Sequence, residues 1–171
     1  MNTGPGGHVS STRSNEQAED MTVELRSTIN GTAIAVEISA NDLLVDLLRD
    51  ELGLTGTKRS CEVEVCGVCT VLVDGNPVSS CMLLASEVDG SNVVTIEGLR
   101  GTEFFRTAEE VFTRHAAVQC GFCTPGILLT LKAVADREVS DNLDIKKELS
   151  GNLCRCTGYQ ALLAAATELL T

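Results

Sequence analysis

Tryptophan is absent from this 171-residue chain, tyrosine occurs once, and aromatic residues make up only 3%. Stacking platforms for single-stranded nucleic acid need aromatic faces. A formal net charge of −11 also repels phosphate backbones and anionic lipid, so nucleic acid and membrane surfaces are not expected partners. Apolar stretches are short, Gly126 to Leu131 among them. None approaches the roughly 18–20 residues that cross a bilayer, so no membrane insertion is expected. The start, MNTGPGGHVSSTRSNEQAED, carries neither a basic cluster nor an apolar segment, so no export signal is expected. The expected compartment is the cytoplasm, which is reducing. Against these shortages stand 43% apolar residues, enough for a buried core, and eight cysteines.

The cysteines fall into two sets. Cys61, Cys66, Cys69 and Cys81 read C-x4-C-x2-C-x11-C, and Cys120, Cys123, Cys154 and Cys156 read C-x2-C-x30-C-x-C. Disulfides suit small secreted chains. Structural zinc takes paired C-x2-4-C knuckles, and only Cys120–Cys123 has that form. The first spacing is the plant-type [2Fe–2S] ferredoxin pattern. A loop of this kind wraps an anionic cluster with its peptide N–H groups aimed at sulfur, and Gly67 permits close backbone approach. Taken alone, the second set leaves iron–sulfur and zinc both open.

Residues 1–20, rich in Gly, Ser and charge, predict a flexible tail. From Met21 the period is two: TVELRST and TAIAVEIS flank Asn30-Gly31, a strong hairpin signal. Asn41 offers a helix N-cap for an apolar stripe of Leu43, Leu44, Leu47, Leu48 and Leu52, which Gly53 can close. VCTVLVDG predicts a strand turning at Asp74-Gly75-Asn76, and Val93 to Ile96 another strand. A β-grasp sheet packed on one helix is expected over residues 21–100. Beyond the glycines at 98 and 101, residues 101–171 predict an all-α domain. Its four short helices span 107–118, Thr124 (N-cap, with Pro125 following) to about Ala135, 141–149, and Thr157 to Leu170. The fold class is thus α+β, a sheet domain followed by a four-helix domain.

Charge is uneven. Residues 21–100 hold twelve acidic and five basic groups, and residues 101–171 nine and seven. Lys58 and Arg59 precede the first cysteine loop and Arg155 lies inside the last. They either favour a reduced, more negative cluster or are solvated surface charges.

GTKRSCEVEVCGVCTVLVDG, PVSSCMLLA, AVQCGFCTPGILL and GNLCRCTGYQ together resemble the small iron–sulfur subunit of the molybdenum hydroxylases. This is the xanthine oxidase family, which includes xanthine dehydrogenase, aldehyde oxidoreductase, aerobic carbon monoxide dehydrogenase and bacterial N-heterocycle dehydrogenases. The resemblance spans about residues 21–171. It implies a plant-ferredoxin-like domain followed by a helical domain particular to the family. It also implies two [2Fe–2S] clusters, one on Cys61, Cys66, Cys69 and Cys81, the other on Cys120, Cys123, Cys154 and Cys156. By the same resemblance, Gln119 and Cys156 contact the molybdopterin of a large subunit, whose cytosine dinucleotide form is common in bacterial relatives. The ferredoxin-like cluster faces the FAD of a medium subunit. The implied assembly has three kinds of subunit, often in two copies each, so a dimer of heterotrimers is expected. The implied role is relay of single electrons from molybdopterin through both clusters to FAD, with no substrate acid, base or nucleophile on this chain.

Two positions depart from the family's habit. Ser60 stands where many relatives have Gly, with an expected cost if its φ is positive, and Glu64 stands where many have a small residue. Among other residues, His8 and His115 are expected to be inert or surface groups. Tyr159 is expected to pack at the last helix, and GILLTLKAVA to form helix core. The alternatives are a stand-alone [2Fe–2S] ferredoxin, which needs no residues 101–171, and a zinc-stabilised interaction module.

Overall fold

The computed structural model describes residues 21–137 and 143–171. The tail expected over residues 1–20, and His8 with it, lies outside the described residues.

Alternation makes the first hairpin. β1 (Thr22–Ile29) turns Leu25, Ser27 and Ile29 inward and Glu24 and Arg26 outward. It pairs antiparallel with β2 (Thr32–Ser39) across Asn30-Gly31. Both turn residues have left-handed φ, +51° and +79°. That is the type I′ geometry whose twist matches the flanking strands. The second hairpin repeats the device. β3 (Thr70–Val73) and β4 (Asn76–Ser79) meet through Asp74 and Gly75 at φ +50° and +81°. The expected three-residue turn is one residue shorter, because Asn76 already pairs with Val73. β5 (Asn92–Val94) completes a mixed five-stranded sheet in the order β2-β1-β5-β3-β4, with β1 and β5 parallel.

The helix under the sheet begins later than expected. α1 covers Leu44–Asp46 and widens into a π-helical turn over Leu47–Glu51. Asn41 does not cap it. The opening N–H groups find tertiary partners instead, Leu44 on the Leu83 carbonyl (2.8 Å) and Val45 on that of Ser80 (3.1 Å). A side-chain cap is therefore unnecessary. The stripe is core as expected: Leu44, Leu47 and Leu48 are buried with Leu25, Ile29, Val71 and Val93. Each such side chain contributes roughly 1.5–3 kcal/mol of burial.

The change to helix comes earlier than expected. Thr95 exchanges hydrogen bonds with Asn30, the Thr95 N–H to Oδ1 at 2.8 Å and Asn30 Nδ2 to the Thr95 hydroxyl at 2.9 Å. Ile96 then opens a short helix, α2 (Ile96–Leu99), and does not continue the strand. α3 runs over Glu103–Arg114, four residues ahead of the expected span, because the Thr102 hydroxyl accepts the Phe105 N–H and caps it. α4 (Thr124–Ala135) carries Thr124 inside the helix, with Cys123 at the N-cap and Pro125 in the first turn. α5 is Ile145–Glu148, capped by the Asp144 carboxylate. Residues 141–142 of the expected helix lie outside the described residues. α6 covers Gln160–Leu170, with Tyr159, not Thr157, at its cap position in left-handed conformation (φ +68°).

GILLTLKAVA is apolar nearly all round because α4 lies between two cores. Leu129 and Ala133 meet Leu72 and Leu99 on the face of the sheet opposite α1, while Ile127, Leu128 and Leu131 meet Val111, Phe112, Leu162 and Ala166 of α3 and α6. At its start the two halves touch backbone to backbone. A Cβ on Gly126 would overlap the Gly67 carbonyl, and a Cβ on Gly67, itself at φ +65°, would overlap the Gly151 carbonyl. The space kept open by Gly67 is therefore filled by the helical domain.

Candidate metal centres

The first four cysteines are held by a loop on the sheet. Cys66, Cys69 and Cys81 are buried, and Cys61 is half-exposed. Ser80, fully buried beside Cys81, donates its hydroxyl to the Cys69 carbonyl (2.7 Å) and ties the distant cysteine to the loop. The loop wraps as the spacing requires. The Val65 N–H donates to the Cys61 sulfur at 3.4 Å. Peptide N–H groups of Val63, Val65 and Cys66 bring the Cys61 thiol down to about 6. Burial pushes Cys69 up to about 11, against an N–H bond from Cys81. Left-handed φ angles fall at Glu62 (+56°) and Glu64 (+57°), not at Ser60. The conditional cost at Ser60 does not arise, and left-handed backbone falls instead on two glutamates for which no strain was expected. Glu64 is exposed, so its charge is solvated.

The second four sit at helix ends. Cys120 is exposed after the left-handed Ala116 that follows α3, and Cys123 is at the cap of α4. Cys154 and Cys156 lie in the turn before α6, Cys156 exposed. Burial pushes Cys123 up to about 12. Burial also opposes the Cys154 thiolate, yet the Thr157 hydroxyl (3.2 Å) and the N–H groups of Thr157 and Cys156 hold it below the usual range. Thr157 thus serves a sulfur and accepts the Tyr159 N–H (3.3 Å), in place of capping the helix as expected. The Phe122 N–H lowers Cys120, and the neighbouring Cys120 raises Cys156.

The sulfurs gather two by two. Cys61 is against Cys66, Cys69 against Cys81, and Cys123 against Cys154, while the Cys120 and Cys156 sulfurs are 3.5 Å apart. Among the described residues no three metal-binding side chains converge as on a single ion. Two thiol pairs per site are what a diiron cluster takes, one pair for each iron, so the donor set fits [2Fe–2S] better than mononuclear zinc. A cavity of about 480 Å³ lies between the second set and the first cysteine loop, lined by Cys120, Cys123, Cys154, Cys156 and Tyr159 on one side and Cys66 on the other.

The surrounding charges are engaged locally. Arg59 pairs with Glu62 (2.8 Å) and with Asp46, and Lys58 donates to the Thr55 carbonyl (2.9 Å). Arg155 borders the cavity. Gln119 is exposed beside Cys120. His115 is five residues away and bonds Glu168 of α6 at 2.6 Å. Sequence reasoning missed Ser80 and Asn152. Asn152 is buried, and its amide donates to the Gly67 carbonyl at 3.1 Å. No spacing rule points to a contact between residues so far apart in the chain.

Comparison with known proteins agrees with this arrangement. Residues 27–95 match the family described as 2Fe-2S iron-sulfur cluster binding domain, and residues 95–167 the family described as [2Fe-2S] binding domain. The gamma subunit of caffeine dehydrogenase from Pseudomonas sp. (strain CBB1) is 44% identical over 142 residues, 81% of this chain and 85% of that protein. The nicotinate dehydrogenase small FeS subunit of Eubacterium barkeri is 40% identical, over 84% of this chain and 92% of that one. A chain of quinoline 2-oxidoreductase from Pseudomonas putida 86 superposes with a TM-score of 0.78 at 40% identity, covering 86% of this chain and 91% of that one. Aldehyde oxidoreductase of Desulfovibrio gigas superposes at 0.79 and 35% identity, over 86% of this chain and 17% of that one. With both cluster-binding domains matched and relatives of 40% identity or more covered almost end to end, the chain belongs to the small iron–sulfur subunits of the molybdenum hydroxylase family, the electron carriers of a molybdenum-dependent oxidoreductase.

Proposed function

We propose that this subunit relays single electrons from molybdopterin on a large subunit, through two [2Fe–2S] clusters, to FAD on a medium subunit. Cys61, Cys66, Cys69 and Cys81 hold one cluster, and Cys120, Cys123, Cys154 and Cys156 the other. Each supplies one-electron capacity when bound. Residues 21–100 and 101–171 are the two domains that carry them.

The observation that carries the reading is the orientation of the second set. All four cysteines line the cavity that Cys66 also lines, but Cys120 and Cys156 are exposed together with Gln119, while Cys123 and Cys154 are half-buried. One pair is open to an external cofactor, with Gln119 and Cys156 positioned to meet a pterin. The other leads into the chain. Exposed Val118 and Phe122 flank this outlet, and exposed Val63, Val65 and Met82 border the first set. Each apolar fringe suits one partner subunit, in a dimer of heterotrimers. The pterin is taken in its cytosine dinucleotide form, and the complex works in the cytoplasm, where thiols stay reduced for iron. No described helix is long and apolar enough to cross a membrane.

The test is iron analysis and low-temperature paramagnetic resonance of the purified complex. Two distinct diiron signals are expected on reduction. A fully loaded sample with only one would overturn the reading.

A further inference from the structure

We propose that Asn152 is a positioning residue for electron transfer between the clusters, holding a single hydrogen bond that bridges them. The inference rests on the relay just described and deepens it.

The Leu153 N–H donates to the Cys66 carbonyl at 2.9 Å. Cys66 belongs to the first cysteine set, and Leu153 is bonded directly to Cys154 of the second. From the Cys66 sulfur through its own backbone, across this bond, and on through Leu153 to the Cys154 sulfur, every step is a covalent bond except one hydrogen bond. Tunnelling decays more slowly along bonds than across gaps. With both clusters bound, this route would carry one electron from the helical-side cluster, thereby oxidised, to the sheet-side cluster, thereby reduced. No proton moves.

The bridge is short because its turn is held from two sides. The Asn152 amide, 4% exposed, donates to the Gly67 carbonyl (3.1 Å), the peptide next to the one Leu153 engages. The Tyr159 hydroxyl donates to the Asn152 carbonyl (3.1 Å) and accepts the Cys154 N–H (2.8 Å). Asn152 therefore clamps the turn to the sheet domain, and Tyr159 sets its shape from within the helical domain. At Gly67, against the Gly151 carbonyl, and at Gly126, against the Gly67 carbonyl, there is no room for a Cβ that would part the two backbones.

The experiment compares wild type with Asn152→Ala and Tyr159→Phe in the assembled complex. Cluster signals, both potentials, the magnetic coupling between the reduced clusters and the rate of inter-cluster transfer are all measured. Asn152→Ala is expected to keep both signals while the rate at equal driving force falls about tenfold or more and the coupling weakens. Tyr159→Phe is expected to act in the same direction by a smaller factor. A structural role alone would lower stability and leave rate and coupling untouched, and that result in Asn152→Ala overturns the proposal. If Asn152→Ala fails to assemble, Tyr159→Phe decides, and an unchanged rate with both signals present overturns it. Absence of two signals in wild type sinks the relay reading itself, which is a different failure.

Discussion

The two cysteine sets, proposed to hold the same kind of centre, are built from opposite materials. The first is wrapped by a loop of a five-stranded sheet, and three of its four sulfurs are buried, with Cys69 and Cys81 packed against Val45. The second is assembled from two helix ends far apart in sequence, and two of its four sulfurs are open to solvent. The sheet supplies a shielded site that is largely local in sequence. The helices supply a site that exists only once the domain has folded, with one edge open to solvent. Shielding and access are thus separated between domains, and Cys66 of the first set shares a cavity with the sulfurs of the second.

Removing one ligand from each set gives the largest effects and tests this contrast directly. Cys69→Ser is expected to abolish the first cluster and also to destabilise the sheet domain by about 1–3 kcal/mol, because a hydroxyl replaces sulfur in an apolar pocket. Cys156→Ser is expected to weaken or alter the second cluster and interrupt transfer from molybdenum, with little change in folding. Melting of both variants, alongside their resonance spectra, checks the difference. Equal destabilisation would erase the distinction between a buried and an open set.

Next in size is Gly126→Ala. Its Cβ would meet the Gly67 carbonyl, which is backbone and cannot swing aside. Overpacking of this kind costs about 1–3 kcal/mol, against about 1 kcal/mol of helix propensity gained. A net loss is expected in denaturant unfolding, along with poorer retention of both clusters. A stabilised variant would mean that the domains are not locked at this point.

Acidity should separate the sulfurs by depth. Iron binds thiolate, so every thiol still protonated must release a proton on loading. Burial pushes Cys69 to about 11 and Cys123 to about 12, so both carry protons at neutral pH. Reconstitution should therefore strengthen as pH rises from about 7 to 9, approaching tenfold per unit for each proton displaced. Cys61, brought down to about 6 by peptide N–H groups, adds to this dependence only below that pH. Absorbance titration of cluster loading against pH checks the slope. A flat profile would show that burial does not govern these thiols.

Local chemistry was legible in the sequence, and contacts between distant segments were not. The hairpin at Asn30-Gly31, the Leu44–Leu48 stripe, the apolar α4 and all eight cysteines could be read directly, because turn chemistry, periodicity and ligand spacing act over a few residues. The start of α1 could not, since carbonyls of Leu83 and Ser80 replace the cap that Asn41 offered. Thr157 has a cap-like residue type but was drawn to the Cys154 sulfur. Left-handed backbone in the first loop falls on Glu62 and Glu64, not on Ser60, which stands where many relatives have Gly, and no local signal separates these positions. Asn152 is plain in the GNLCRC motif, yet its partner, the Gly67 carbonyl, is known only from the fold.

The smallest expected effect concerns the outer edge of the helical site. Glu168 on α6 accepts from His115 at 2.6 Å and pairs with Arg114, so it ties the end of α3, just ahead of the Cys120 loop, to the last helix. The hydrogen bond from His115 is the main reason its carboxyl lies below the usual 4.5, with slight burial opposing and Arg114 assisting. A carboxyl depressed in the folded state stabilises above its ordinary value, and the contribution disappears as pH falls through the lower folded value. Glu168→Gln should therefore lower the melting temperature slightly at pH 7 and not at all in strong acid, and added salt should shrink the difference because the groups are exposed. The sheet-held cluster should be indifferent to the change, while the helical one should show at most a small shift in its resonance line shape. An equal response of both clusters would mean that the helix ends do not tune their site independently of the sheet.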